Sequence, residues 1–308
     1  MKICIIGTGA MGSVYAGLLG DAGNNVWAID RWQKHIEAIR ENGLRVEGKS
    51  GDRTVRINAS TETKKMGSCD LVIIATKAMD VVQAAESAKA LLGQNTVVLT
   101  IQNGLGSPEK VAAILGTERV IVGIAGGFGA SIKAPGHVHH NGMEFVHLGE
   151  LNGPKTPRLE KVAKVWRKAG FSVKTFNDIQ QLIWEKLICN VCFSGICAIT
   201  EMTIGEVIAD DNAWQVASGC ATEAFNVAKA HGIYIDVDDP IGYVHNFGSK
   251  IPDARPSMLL DLMEGRASEI DVINGAIPVE GEKLEVPTPF NMIVSAIVRA
   301  KERRLGLR

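Results

Sequence analysis

Apolar positions follow two different rhythms along this chain, and the change falls near residue 177. Before it, short continuous apolar runs alternate with stretches of helical spacing. Runs at 3–6, 26–29, 71–75, 97–101, 120–124 and 172–176 predict strands, since short apolar runs suit a strand covered on both faces. Apolar residues recurring every three or four positions predict helices at 10–21, 33–41, 80–92, 107–115 and 157–168. Such alternation predicts a mostly parallel, doubly wound sheet. Two stretches, 44–57 and 137–148, break the rhythm and predict antiparallel additions.

After residue 177 period-two runs disappear and helical spacing continues almost to the end, as in Ile179, Leu182, Ile183, Lys186 and Leu187. Asn177-Asp178 offers an N-cap to the first of these helices. Breaks are predicted at Gly232, Asp239-Pro240, 252–256 and Pro287-Thr288-Pro289. The expected class is therefore α/β: a doubly wound domain over 1–177, then an all-helical domain over 178–308. A cleft between two such domains is a natural substrate site.

The first strand carries a specific motif. Residues 3–6 run into Gly7-Thr8-Gly9-Ala10-Met11-Gly12, a strand followed by G-x-G-x-x-G that opens a helix. Gly7 allows the tight turn, Gly9 lets the backbone approach a pyrophosphate, and Gly12 lets the helix pack closely on the sheet. The helix N-terminus adds unpaired N–H groups and a positive dipole end. The second strand ends in Asp30, 18 residues beyond Gly12, close to where an acidic side chain reads a ribose hydroxyl. The pattern predicts a Rossmann-type dinucleotide site.

Composition narrows the class. A chain of 308 residues suits two domains, and 46% hydrophobic with 22% charged residues is ordinary for a soluble protein. A net charge of −1 gives no reason to expect nucleic acid or an anionic membrane as partner. The basic run 299–304 reads as the solvated end of a last helix. No run is read as approaching a membrane span, and a cytoplasmic location is expected. Six cysteines suit a reducing compartment. Cys189-x-x-Cys192 lies in an apolar helical segment and reads as core packing. His137, His139, His140 and His147, around Pro135-Gly136 and Asn141-Gly142, read as an exposed hairpin. No metal is expected.

One helical stripe is polar in apolar surroundings. Lys186, Asn190 and Ser194 stand at i, i+4 and i+8, among Leu187, Ile188, Val191, Cys192 and Phe193. A solvated face with a snorkelling lysine is the plain reading. A solvated face usually carries several charges, however, whereas this one adds only an amide and a hydroxyl, as a substrate-facing wall would. Reduction of a ketone leaves charge on oxygen and needs a proton donor, which a lysine with a desolvation-lowered pKa can be. Thr76-Lys77 and Gln102-Asn103-Gly104 follow predicted strands, at the ends where ligands gather in open α/β sheets.

Together these pieces resemble the ketopantoate reductases (2-dehydropantoate 2-reductases) over essentially the whole chain. The matching motifs are Gly7-x-Gly9-x-x-Gly12, Thr76-Lys77, Gln102-Asn103-Gly104, Lys186-x-x-x-Asn190, Pro256-Ser257-Met258 and Glu269-Ile270-Asp271-x-x-Asn274-Gly275. The resemblance implies NAD(P)H-dependent reduction of a 2-oxo acid to a 2-hydroxy acid, with Lys186 as general acid. It implies that Glu269 orients lysine and substrate, that Asn190 and Ser257 hold substrate, and that Asn103 lies near nicotinamide and Lys186. Lys77 would contact the cofactor.

The chain departs from the family pattern in two places. Ser194 stands where the pantoate-forming members usually carry a second asparagine, and the hydroxyl beside Gly195 is expected to leave room for a bulkier or less polar group. Arg31 matches members that use NADP, but Asp30 before it repels a 2′-phosphate and favours NAD. Arg31 would then stack on adenine. The stretch 29–39 is similar to a branch of NAD-dependent D-2-hydroxyacid (mandelate-type) dehydrogenases. The 3-hydroxyisobutyrate and 6-phosphogluconate dehydrogenases fit less well, because no glycine-rich turn precedes Lys186. A non-catalytic NAD(P)-binding sensor would have no use for Lys186, Asn190, Ser257 and Glu269 together. A homodimer is compatible with apolar helical faces.

Overall fold

A computed structural model describes residues 1–64, 66–127, 129–142 and 145–308. Its internal contacts divide the chain into two units, 1–102 with 106–179, and 103–105 with 180–308. Unit 1 contains β1 (Lys2–Ile6), α1 (Ala10–Asp21), β2 (Asn25–Ile29), α2 (Gln33–Asn42), β3 (Leu44–Gly48), β4 (Arg53–Val55), β5 (Asn58–Ser60), β6 (Leu71–Ile74) and α3 (Val81–Ala88). It continues with β7 (Val97–Thr100), α4 (Ser107–Leu115), β8 (Val120–Gly126), β9 (Gly129–Ala134), β10 (His137–Gly142), β11 (Phe145–Glu150), α5 (Pro157–Lys168) and β12 (Val173–Phe176).

The apolar runs become the centre of an eight-stranded sheet ordered β5-β2-β1-β6-β7-β8-β11-β12. Every residue of β6 and β7 is buried, as expected of strands covered by helices on both faces. Pairing is parallel from β5 to β8, β11 runs antiparallel to β8, and β12 returns parallel to β11. Strand order reverses between β1 and β6, where Ile3 pairs with Leu71 on one side and with Val26 on the other. This switch point opens a crevice beyond the carboxyl ends of β1 and β6, and both strands end at predicted site residues.

Parts of the two stretches that break the rhythm, with the unanticipated β9, build a second sheet ordered β4-β3-β10-β9. Its β3–β4 pair is antiparallel as expected, β9–β10 is antiparallel too, and β3 and β10 pair in parallel. Residues 143 and 144 of the 137–148 stretch lie outside the described residues, and β11 beyond them joins the large sheet. The expected hairpin around Pro135-Gly136 is present as β9–β10, but its histidines are not exposed. β10 is an interior strand, so His140 is fully buried against Ser50, and His137 and His139 face Glu47 across the pair. Among the described residues no group of three His, Cys, Asp or Glu could hold a metal ion.

Unit 2 is helical: α6 (Gln180–Thr200), α7 (Ile204–Ala209), α8 (Asp211–Ala230), α9 (Pro240–Ser249), α10 (Ser257–Met263), α11 (Ala276–Lys283) and α12 (Pro289–Arg304). Side-chain caps fix several starts: Thr203 and Glu206 form a capping box on α7, while Asp210 and Asp239 cap α8 and α9. The central helix corrects one expectation. At 21 residues α6 is long and apolar enough to cross a membrane by length and composition, which the sequence reading did not anticipate. Two thirds of its apolar window is buried within the protein, against α8, α10 and α12, so its surface meets other helices. Cys189 and Cys192 sit in this core, where burial pushes the Cys189 thiol up to about 12 and raises Cys192 as well.

Candidate active site

The glycine-rich turn leaves β1 with Gly7 at φ +92°, a conformation only glycine adopts easily. A Cβ there would stand 2.6 Å from the Thr76 nitrogen, so the ends of β1 and β6 are in van der Waals contact. Gly12 allows the close approach of α1 to the ends of β1 and β6, with the Ala75 Cβ 3.5 Å from where its own would lie. A Cβ on it would meet the Gly7 carbonyl oxygen at 2.0 Å, so this glycine lets α1 close on the turn itself.

A Cβ on Gly9, by contrast, would meet nothing within 4 Å. Gly9 is the N-cap of α1 without a side-chain hydrogen bond, and no acidic residue occupies the first turn. The first N–H groups of α1 are therefore free to receive an anion. Two buried hydroxyls flank the turn, Thr8 Oγ1 and Thr76 Oγ1, both without a partner among the described residues. Open space, uncapped amides and orphaned hydroxyls fit a dinucleotide pyrophosphate along Gly7, Thr8, Gly9, Ala10, Met11 and Gly12.

Asp30 follows β2 and accepts the Trp32 N–H through Oδ1 at 3.0 Å. Arg31 turns to α3 and its approach, pairing with Asp80 at 2.9 Å and donating to Gln83 at 3.3 Å. Lys77 follows β6 and precedes a short helical turn at 78–80. Gln102 received no role from the sequence. Its Nε2 donates to the Ile74 and Thr76 carbonyls at 2.7 and 3.1 Å, and its Oε1 accepts the Thr100 hydroxyl, tying the ends of β6 and β7 together.

Asn103 belongs to unit 2, although it directly follows Gln102. Gly104 explains how. It has φ +76°, and a Cβ on it would lie 2.1 Å from the Val272 oxygen, while the Leu105 N–H donates to that same carbonyl at 2.9 Å. Only glycine allows this approach, which locks Asn103 beside the turn that bears Glu269.

Asn103 then bridges two charged groups 83 residues apart. The Lys186 ammonium donates to Asn103 Oδ1 at 2.8 Å, and Asn103 Nδ2 donates to Glu269 Oε2 at 3.4 Å. Burial lowers the Lys186 pKa from its usual value to about 8, against the opposing pull of the Glu269 carboxylate. A lysine poised near neutrality and aimed by an amide is equipped for proton transfer. The Glu269 turn is itself anchored. Ser268 donates through N–H and hydroxyl to the fully buried Glu302, both at 2.7 Å, and Asp271 takes Arg299 and Arg308 at 2.8 and 2.7 Å.

The other predicted substrate residues are less closely joined. Asn190 is half-buried one turn along α6 from Lys186, and Ser194 is almost wholly enclosed. Ser257 opens α10 and is exposed. Gly195 itself faces away from the stripe of Lys186, Asn190 and Ser194, since a Cβ there would meet Val294 Cγ1 at 2.3 Å and Asn274 Oδ1 at 2.9 Å. This glycine serves the packing of α6 on α12.

With this geometry in hand, comparison with known proteins is direct. The ketopantoate reductase PanE/ApbA family profile matches residues 3–153, and its C-terminal profile matches 178–302. The chain belongs to the ketopantoate reductase family. The 2-dehydropantoate 2-reductase of Streptococcus pyogenes serotype M18 is 31% identical over 308 residues, covering all of both chains. That of Pyrococcus horikoshii is 33% identical, covering 98% of each. Among solved structures, a family member from Ralstonia eutropha superimposes with TM-score 0.91 at 31% identity, covering 99% of this chain and all of that one. A ternary complex of D-mandelate dehydrogenase with NADH and anilino(oxo)acetate superimposes with TM-score 0.92 at 29% identity over the full length of both chains.

Proposed function

We propose that this protein reduces the keto group of a 2-oxo acid to a hydroxyl with a nicotinamide dinucleotide, and that Lys186 is the general acid. The Lys186–Asn103–Glu269 arrangement carries the proposal, because it joins a lysine of lowered pKa to the motifs of a reductase family. When bound, the reduced nicotinamide supplies the hydride. The Lys186 ammonium hands its proton to the carbonyl oxygen as charge develops there, and Asn103 Oδ1 fixes the direction of the N–H bonds. Glu269 keeps the ammonium charged enough to act while burial keeps it acidic enough to give the proton up. Asn190 and Ser257 are the side chains we assign to holding the substrate, with Ser194 lining the same helix.

NAD and NADP both fall within the family's range, and the residues favour NADH. Asp30 presents a carboxylate where a 2′-phosphate would lie, and Arg31, the cation that would offset it, is already paired with Asp80. The second reading, a D-2-hydroxyacid dehydrogenase of mandelate type, draws on the same Asp30 and on Ser194 in place of an amide. Rates of NADH and NADPH oxidation over a series from ketopantoate to benzoylformate test both. Turnover that favours NADH supports the proposal, and the preferred substrate separates the two readings. No oxidation of either nucleotide with any 2-oxo acid would overturn it.

A further inference from the structure

The mechanism gives no task to His35, one of two fully buried histidines among the described residues. His35, on α2, is fully buried, and the Gly136 N–H donates to its Nδ1 at 3.0 Å. A main-chain N–H only donates, so Nδ1 is the bare nitrogen and the proton sits on Nε2. Nε2 lies 3.1 Å from Ser13 Oγ, which therefore accepts and directs its own proton to the Thr8 carbonyl at 2.9 Å. One amide thus fixes every donor direction in a relay ending on the glycine-rich turn. Trp32 stacks on the imidazole with ring centroids 5.0 Å apart and 10° between the planes. Burial lowers the His35 pKa against the pull of Asp30, which favours the neutral ring this relay requires.

The Thr8 carbonyl shares a peptide unit with the Gly9 N–H. That unit is planar and trans, so its C=O and N–H point in opposite directions. Holding the carbonyl on Ser13 turns the Gly9 N–H away from α1, and no partner for that N–H is found among the described residues. We propose that His35 and Ser13 are positioning residues for the cofactor, locking the Thr8–Gly9 peptide so that the Gly9 N–H meets the dinucleotide pyrophosphate. The proposal rests on the dinucleotide reading above and adds two side chains that never touch the ligand.

Glutamine and asparagine at position 35 separate the two imidazole nitrogens. His35→Gln carries an N–H close to the Nε2 position and keeps the donor to Ser13, whereas His35→Asn reaches only the Nδ1 position. NADH dissociation constants are measured by calorimetry on the full chain, alongside KM and kcat. His35→Asn and Ser13→Ala are expected to weaken NADH binding about tenfold, the scale of one misaligned hydrogen bond to a charged group. Their kcat at saturating NADH should stay within about twofold, and His35→Gln should restore affinity. Equal NADH affinity in wild type, His35→Asn and Ser13→Ala would overturn the inference, as would equal weakening by Gln and Asn. Should neither Asn nor Ala variant fold, His35→Gln decides alone: affinity within about twofold of wild type supports the relay, and tenfold weakening overturns it. Wild type that binds no NADH would instead defeat the dinucleotide reading itself.

Discussion

Arg31 shows how much a residue's meaning depends on its neighbours. In sequence it is a cation after the second strand, suited to a 2′-phosphate or to stacking on adenine. In the fold it is paired with Asp80, about 50 residues away along the chain, and Asp30 stands beside it. Replacing both acids, Asp30→Asn with Asp80→Asn, should shift the ratio of kcat/KM for NADPH over NADH upward by about tenfold or more, equivalent to ~1.4 kcal/mol. Steady-state kinetics with both nucleotides check it, and an unchanged ratio would remove these carboxylates from the account. Asn103 is the corresponding residue beside the proposed proton donor. Asn103→Ala leaves the Lys186 ammonium without its aim, and kcat should fall by roughly 10- to 100-fold with a smaller change in KM. Lys186 also carries a stability cost, because burial of its ammonium opposes folding, fully below about pH 8 and less as the pH rises from there through the usual lysine value of 10.5. Lys186→Met should therefore raise the urea midpoint, by roughly 1–3 kcal/mol of stability, while abolishing turnover.

At the scale of elements, β1, β6 and β7 were legible because a continuous apolar run has few other places to go. β5 was not. Asn58-Ala59-Ser60 carries no strand signal, and it joins the sheet because the exposed edge of β2 offers its N–H and C=O groups for pairing. His140 misled for the opposite reason, since a polar residue between turn signals reads as exposed until its strand takes an interior place in a second sheet. The stripe on α6 was legible from spacing alone, yet the function of Gly195 was not, because Val294 and Asn274 come from distant parts of unit 2. Gly195→Ala should overpack that contact and cost roughly 1–3 kcal/mol, read from urea unfolding. The Glu269 turn also depends on distant partners. Glu302→Gln removes a buried charge that accepts two hydrogen bonds from Ser268. It should cost about 1–3 kcal/mol and lower kcat through the displaced Glu269, whereas an unchanged kcat would make the anchor structural only.

For the molecule as a whole, the order of motifs along the chain was readable and sufficient to point to the family. What spacing alone did not give is the role of residues 103–105, which follow a strand of unit 1 in sequence yet pack with unit 2. Gly104 makes this possible, and its task against the Val272 carbonyl is invisible in an Asn-Gly pair that also reads as a turn. The account turns on the proton held by Lys186. Its most direct test is the pH dependence of kcat for 2-oxo acid reduction at saturating NADH, in wild type and Lys186→Ala. The charged form is the donor, so wild-type kcat should fall as pH rises through about 8, while the variant should be slower by about 10²- to 10⁴-fold and lack that inflection. A variant that keeps the wild-type rate, or the same inflection in both proteins, would contradict it.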